Sequence, residues 1–475
     1  MVIASIDLKD GRVVQLKNGK SLVLERNDAD ALIEEFNRYG EVAVIDVDAA
    51  LGNSDEKGNT KNTELLKRLL RKGNVRVGGG IRSVKRAKEL VALGAEKVIV
   101  GSAAWNIRAA EQRKSAIPDS ATARSASACV INAADGDAVS VSDATASDAT
   151  AHSAKSDIIN AAFLDELVSA IGKQRVIIAV DSIGGNIAVN GWTETVNVPL
   201  VQGAQLAEKY CSELLFTCVE KEGCMSGTDM TLVQQLRSAV SCRVVAAGGV
   251  SSVPEIAALE KIGCDVQLGM ALYTGAVSLK DAFIGCLNWA KSPLIPVIAQ
   301  SVNGDVLMLG YANQEAFAKS FDTNRLTFFS RTRGTLWTKG ETSGNYLELV
   351  KLRADCDRDT VLATVVPRGN VCHTGAFTCF SGEAAEPSSA GKLYNIIAER
   401  FAHPTPGSYT ATLDDTRVRE KIMEEAEELC DEAQTKQDVV WETADLFYFL
   451  NVLMYKEGVT WKDVYDELDR RHRER

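Results

Sequence analysis

Along the first 290 residues, short and continuously apolar runs alternate with stretches of helical spacing. The runs are "VIASID" (2–7), "VAVIDVD" (42–48), "VRV" (75–77), "KVIVG" (97–101), "RVIIAVD" (175–181), "ELLFTC" (213–218), "RVVAA" (243–247) and "DVQLG" (265–269). Between most of them lie segments such as "DADALIEEFNRYG" and "VKRAKELVALG", whose apolar residues recur three and four apart. A strand without polar alternation is covered on both faces, the condition of a parallel sheet under helices. Eight such units predict a (β/α)8 barrel over residues 1–290. Residues 113–156 break the rhythm. They are rich in Ala, Ser and Asp and poor in large apolar groups, which predicts a mobile surface insertion with "ACVINA" as a remnant strand.

After "AKSPLIP" (290–296) the pattern changes. "VIAQSVNGDVLMLGYAN" and "LTFFSRTRGTLWTKG" read as two hairpins, predicting a small β-rich α+β domain over 293–382. "EAAEPSSAGK" (383–392) reads as a linker. Beyond it, "KLYNIIAERF", "TRVREKIMEEAEELCDEAQ", "DVVWETADLFYFLNVLMYKEG" and "TWKDVYDELDRRHRER" carry 3.6-residue periodicity, predicting an all-α helical bundle over 392–475.

Composition narrows the function. The chain has 475 residues, 45% of them apolar, and a formal charge of −11. No basic stripe marks a nucleic-acid partner. No apolar stretch reaches the ~18 residues of a membrane span. Asp7, Lys9 and Asp10 precede any long apolar run, so no secretory signal is expected and the compartment is read as cytoplasmic, with a plastid left open. With only four histidines against eleven cysteines, the chemistry rests on carboxylates and thiolates.

Two glycine-rich turns punctuate the barrel, "VGGGIRS" (77–83) and "AAGGVSS" (246–252). "VIVGSAAW" and "VQLGMALY" repeat at nearly the same offset, as do strand ends at Asp7 and Asp181. This is an internal repeat of half-barrels. Glycine lets backbone N–H groups approach an anion, and a following helix start adds positive potential. Gly79, Gly80, Gly101 and Ser102 in one half, and Gly248, Gly249 and Gly269 in the other, are thus candidate sites for two phosphates. A pair of strand-ending turns without a ligand is the alternative.

"SIDLKDGRVVQLKNG", "VIDVDAA", "VGGGIRS", "GSAAW", "GWTETV", "AAGGVSS" and "LGMALYTG" resemble the phosphoribosylformimino-AICAR-ribotide isomerase of histidine biosynthesis. The sister cyclase shares the barrel and is the second candidate; Gly191–Trp192 favours the isomerase. The resemblance implies an Amadori rearrangement of a substrate with a phosphate at each end, Asp7 as base, and Asp181 and Thr217 as partners on the opposite side. The family usually reads Thr-Asp-Ile-x-x-Asp-Gly after the sixth strand, where this chain reads "TCVEKEG". Cys218 replaces one Asp, and Glu222 stands at the position of the proposed acid. A barrel kept only for binding or dimerisation is the alternative.

In the middle region, Cys356, Cys372 and Cys379 offer soft donors that suit zinc, or else are free thiols. Asp355, Asp357 and Asp359 alternate with Cys356. On an extended segment they share one face, as magnesium ligands or as a solvated acidic loop. "MLGYAN", "FFSRTRGTLWTKGETSGN", "DCDRD" and "CHTGAFTCF" resemble phosphoribosyl-AMP cyclohydrolase. That resemblance implies zinc on the three cysteines and magnesium on the aspartates. It also implies hydrolytic opening of the adenine ring, and a dimer with sites built at the interface. His373 is a candidate for proton transfer. Ser330, Arg331, Arg333, Trp337, Lys339, Glu341 and Ser343 are candidates for substrate contact.

In the last region Glu424, Glu425 and Glu428 share one helix face, and Glu442 and Asp445 stand a turn apart on the next helix. Asp445 among apolar residues predicts a buried charge that a divalent metal would compensate. The pattern Glu-Glu-x-x-Glu…Glu-x-x-Asp resembles the all-α nucleotide pyrophosphohydrolases, and "SYTATL" with "KIMEEAEE" points to phosphoribosyl-ATP pyrophosphatase. Magnesium on these five residues is implied. Lys421 lies near enough for a phosphate, or for a surface ion pair. The three resemblances together imply a trifunctional enzyme acting on phosphoribosyl nucleotides as a homodimer or larger homo-oligomer. A bifunctional chain with a non-catalytic barrel is the alternative.

Overall fold

The computed structural model describes residues 1–56, 58–106, 158–380, 390–405 and 408–474. The predicted insertion at 113–156, "ACVINA" included, lies outside them. The described chain forms two compact units, one of residues 1–37 and 41–282, the other of 38–40 and 283–475.

In the first unit the strands in chain order are β1 (Val2–Lys9), β2 (Arg12–Lys17), β3 (Ser21–Arg26), β4 (Val42–Asp46), β5 (Val75–Gly78), β6 (Lys97–Val100), β7 (Val176–Ala179), β8 (Ser182–Ile183), β9 (Asn186–Val189), β10 (Glu194–Pro199), β11 (Glu213–Thr217), β12 (Arg243–Ala247) and β13 (Asp265–Leu268). Eight of them, β1, β4, β5, β6, β7, β11, β12 and β13, pair in parallel, and β13 closes on β1 through Val2–Val266, Ile3–Gln267 and Ala4–Leu268. These eight are the apolar runs expected from the sequence. Their inward residues, among them Ile3, Ala43, Ile99, Ile177, Leu215 and Val245, fill the barrel. Two additions were not foreseen. The β2–β3 hairpin extends the sheet beside β1, and β8, β9 and β10 form a small antiparallel sheet around Trp192.

Charges gather at the N-terminal ends of the strands. Arg76, fully buried, is paired with Glu41 and Glu213. Lys97 and Arg243 also reach Glu213, and Arg243 reaches Asp265 together with the N-terminal amine. Burial alone would raise Glu213, but Arg76, Arg243 and Lys97 outweigh it and hold the carboxyl low. In barrels this face serves stability, and the opposite face carries chemistry.

In the second unit, β14 (Ile295–Ser301), β15 (Val306–Ala312), β18 (Leu347–Ala354) and β19 (Val361–Pro367) make a sheet in the order β15-β14-β19-β18, and β16 (Thr327–Ser330) pairs with β17 (Thr335–Thr338). Both predicted hairpins are present. Helices follow at Ala390–Ala402, Asp415–Glu427, Lys436–Lys456 and Trp461–Glu474. The first begins inside the segment expected to be a linker. The second passes into a π-helical turn, Glu428–Glu432. Ile397, Val418, Phe449 and Val452 form the core of this helical part.

Candidate functional site

At the C-terminal end of the barrel, Asp7, Asp181, Thr217 and Glu222 line one cavity with Gly79, Gly80, Gly101, Ser102, Gly248, Gly249 and Gly269. The repeat explains the layout. Gly79 has φ +102°, and a methyl there would meet the Asp46 carbonyl oxygen at 2.1 Å. Gly248 has φ +87°, and a methyl there would meet the Cys218 carbonyl oxygen at 2.6 Å. Each glycine turn thus clasps the residue that ends or follows the preceding strand. Each leads into a helix capped by serine: Ser83 accepts from Arg86 N, Ser252 from Glu255 N. Gly101 and Gly269 share nearly the same backbone angles and each opens a short helical turn. The cavity therefore has two matching backbone cradles, one per half-barrel.

The repeat is broken at one pair. Asp46 accepts from Ala49 N, Thr60 Oγ1 and Asn62 Nδ2. Cys218, its counterpart, makes no such cap, and its sulfur lies 3.9 Å from Glu220 Oε2. Glu222 stays in the cavity because the loop is anchored elsewhere: Asn18 N donates to the Glu222 carbonyl oxygen at 3.0 Å.

The three acids differ in their surroundings. Burial pushes Asp7 up to about 6, partly offset by Ser5 Oγ, which donates to Asp7 Oδ1 at 2.9 Å. Burial also raises Asp181, against hydrogen bonds from Trp192 and Thr217. Trp192 Nε1 donates to Asp181 Oδ2 at 2.7 Å. Glu222 is pushed up to about 8, first by burial, then by the charges of Asp7 and Asp181. Near neutral pH one cavity thus presents a protonated acid and an ionised one, the arrangement acid–base catalysis needs. Trp192, which the sequence offered only as a family marker, and Ser5 escaped the sequence reading.

In the cyclohydrolase-like region, Cys372 and Cys379 come together while Cys356 is exposed and apart from them. Thr374 Oγ1 donates to the Cys372 sulfur at 3.1 Å and holds that thiol below its usual range. Lys339 faces both sulfurs, and burial outweighs them to lower its ammonium. His373 is exposed, its Nδ1 3.9 Å from the Cys372 sulfur. Burial and the neighbouring Cys372 sulfur raise the Cys379 thiol, so the pair holds one lowered and one raised thiol. Two adjacent sulfurs suit a soft cation, but one chain does not bring the third sulfur to them.

The carboxylates of Asp355, Asp357 and Asp359 approach within 4.8 Å of one another. The expected extended segment is corrected: β18 ends at Ala354, and Arg358 takes φ +62° in a turn. That turn brings the three carboxylates together, with Asp359 N and Thr360 N donating to Asp355 Oδ1.

The substrate-contact candidates lie on β16, β17 and their turns. The Arg331 guanidinium lies over the Tyr311 ring at 3.8 Å, and Trp337 packs on Phe328. Ser330 Oγ accepts from Arg333 N. Glu341 and Ser343 accept from backbone N–H groups of Thr338 and Asn345, so both also shape the turn.

In the helical part, Glu425, Glu428 and Glu442 form a cluster within 4.8 Å. Glu428 is raised by residual burial and then by Glu442 and Glu425. Such crowding of oxygen donors fits a hard divalent cation. Glu424 stands outside the cluster. It and Glu425 are paired with Lys421 at 2.8 and 2.7 Å; Lys421 thus makes an ion pair, but with Glu425 it is a largely buried one and not the surface pair expected. Asp445 is also outside it and is exposed, which corrects the expected buried charge. It borders a neighbouring pocket with Arg400, Ser408, Thr410 and Tyr448. The Lys436–Lys456 helix is buried at Phe449, Asn451 and Val452, toward its C-terminal half, whereas Trp441 and the turn carrying Asp445 stay exposed.

Three families of known proteins match this chain. The family described as histidine biosynthesis protein matches residues 1–149 and 137–278. Phosphoribosyl-AMP cyclohydrolase matches 308–381, and phosphoribosyl-ATP pyrophosphohydrolase matches 390–472. The histidine biosynthesis bifunctional protein HisIE of Vibrio parahaemolyticus is 44% identical over 197 residues, 39% of this chain and 93% of the relative. That of Escherichia coli is 41% identical over 193 residues, 39% of this chain and 95% of the relative. No helix among the described residues is long and apolar enough to cross a membrane. By its barrel the chain belongs to the histidine biosynthesis protein family, and by its second part to the HisIE family, which makes it a histidine-biosynthesis enzyme with isomerase, cyclohydrolase and pyrophosphohydrolase domains.

Proposed function

We propose that this one chain carries out three consecutive steps: cleavage of phosphoribosyl-ATP to phosphoribosyl-AMP and pyrophosphate, hydrolytic opening of the adenine ring, and Amadori isomerisation of the resulting formimino ribotide. The order of reactions runs opposite to the order of domains. The observation that carries the third step is the meeting of Asp7, Asp181 and Glu222 between two glycine cradles. A barrel kept only as a scaffold has no need of three acids whose burial is costly.

In the barrel, the cradles hold the two phosphates and so fix the sugar across the cavity. Glu222 gives its proton to the ribose ring oxygen, which opens. Asp7 then takes the proton from C2, and Asp181, held by Trp192 Nε1, is one of the two neighbouring acids that raise Glu222 and so favour its proton.

In the middle domain, Cys372 and Cys379, with Cys356, would hold zinc, which when bound supplies hydroxide near neutral pH. The distance of Cys356 from the other two supports a site completed by a second copy, as the resemblance implies. Lys339 places positive charge beside the sulfurs, and His373, next to Cys372, would move a proton at the adenine ring. In the last domain Glu425, Glu428 and Glu442, with Glu424 and Asp445 beside them, would hold magnesium, which when bound neutralises the triphosphate. Cys372→Ser should stall the pathway at phosphoribosyl-AMP, and Asp7→Asn at the un-isomerised ribotide, each read by chromatography of the products. Unchanged turnover in Cys372→Ser would exclude the zinc assignment.

A further inference from the structure

The turn at 355–359 already holds a cation that the chain itself supplies. Lys291 Nζ lies 2.5 Å from Asp357 Oδ2 and 2.6 Å from Asp359 Oδ2. The backbone carrying it is tied to the same turn: Asn288 N donates to the Arg358 carbonyl oxygen at 2.8 Å, and Asn288 Nδ2 donates to that of Asp357 at 3.3 Å. Lys291 thus stands in for an ion among oxygens that lie within 4.8 Å of one another. Three carboxylates crowded this closely repel one another unless a positive charge sits among them. An ammonium and a divalent ion draw on the same oxygen lone pairs and repel each other, so they exclude one another from this turn.

We propose that Lys291 is a built-in competitor for the divalent cation at Asp355, Asp357 and Asp359. It holds the turn in its binding shape while metal is absent and is displaced when metal loads. This rests on the reading of the three aspartates as magnesium ligands. Because the lysine is tethered a short distance along the chain, it acts at high effective concentration. Because the pair is about half exposed, its effect on metal affinity is moderate.

The test is a Mn²⁺ titration of the full chain, free Mn²⁺ being read by electron paramagnetic resonance. Manganese accepts the same oxygen donors as magnesium. A Glu428→Gln background silences the helical cluster. Added Lys291→Met should lower the Mn²⁺ dissociation constant about two- to fivefold. Lys291→Arg, which keeps the charge, should stay near the parent value, and Asp357→Asn should remove this binding. Without metal, Lys291→Met should unfold at a lower temperature than the parent, and saturating Mn²⁺ should close the gap. Unchanged or weaker binding in Lys291→Met, with Asp357-dependent binding intact, overturns the competition alone. Binding indifferent to Asp357→Asn overturns the metal reading and the proposal together.

Discussion

Asp7 and Glu222 share a cavity but titrate apart, and the separation comes from burial and from who the neighbours are. Asp7 has a hydroxyl donor in Ser5; Glu222 is raised by its burial and raised further by two neighbouring acids. Isomerisation measured as kcat/KM should therefore rise as Asp7 ionises through about pH 6 and fall as Glu222 ionises through about pH 8. Glu222→Gln should lower the rate about 10²–10⁴-fold and abolish the alkaline limb. The same shift has a stability consequence. A carboxyl whose folded value is raised binds its proton more tightly in the native than in the unfolded chain. Stability is then lost as pH rises from the ordinary carboxylate range through about 8. Glu222→Gln should accordingly melt higher than the parent at alkaline pH, and an equal or lower melting temperature would contradict the burial argument.

The glycine turns place these residues, and they are the most demanding elements of the barrel. Gly79→Ala or Gly248→Ala puts a methyl into a neighbouring carbonyl group at a backbone angle that alanine resists. Each should destabilise the chain by more than about 1 kcal/mol in denaturant titration and raise KM for the isomerase substrate more than it lowers kcat. The eight barrel strands were legible because burial on both faces leaves continuous apolar runs. The β2–β3 hairpin was not, since "SLVLER" is largely exposed and gives no core-facing run. The acids at Asp7, Asp181 and Glu222 could be read from repeat and motif. Their hydrogen-bond partners could not, because Trp192 reaches Asp181 from a small sheet that no periodicity announced. At Asp357 the alternation of residues suggested a strand, whereas Arg358 turns the chain; the carboxylates meet by a bend, not by a pleat. Asp445 misled for a different reason: its apolar neighbours are themselves partly uncovered, so hydrophobic surroundings in sequence did not mean burial.

On the scale of the molecule, the barrel separates stability from chemistry by face. Arg76, Lys97 and Arg243 meet Glu41, Glu213 and Asp265 at one end, far along the strands from the acids at the other. Glu213→Gln strips Arg76 of a partner while leaving it fully buried. That should cost about 3–5 kcal/mol of stability in denaturant unfolding, with isomerase kcat little changed at temperatures where the barrel stays folded. The central claim is that three sites on one chain act in succession on one metabolite. It is tested most directly by giving the purified 475-residue chain phosphoribosyl-ATP with Mg²⁺ and Zn²⁺ and identifying the end product by mass spectrometry and nuclear magnetic resonance. The account predicts the open-chain ketose produced by the Amadori step, with one pyrophosphate released per turnover. Accumulation of the un-isomerised ribotide, with the first two steps complete, would contradict it.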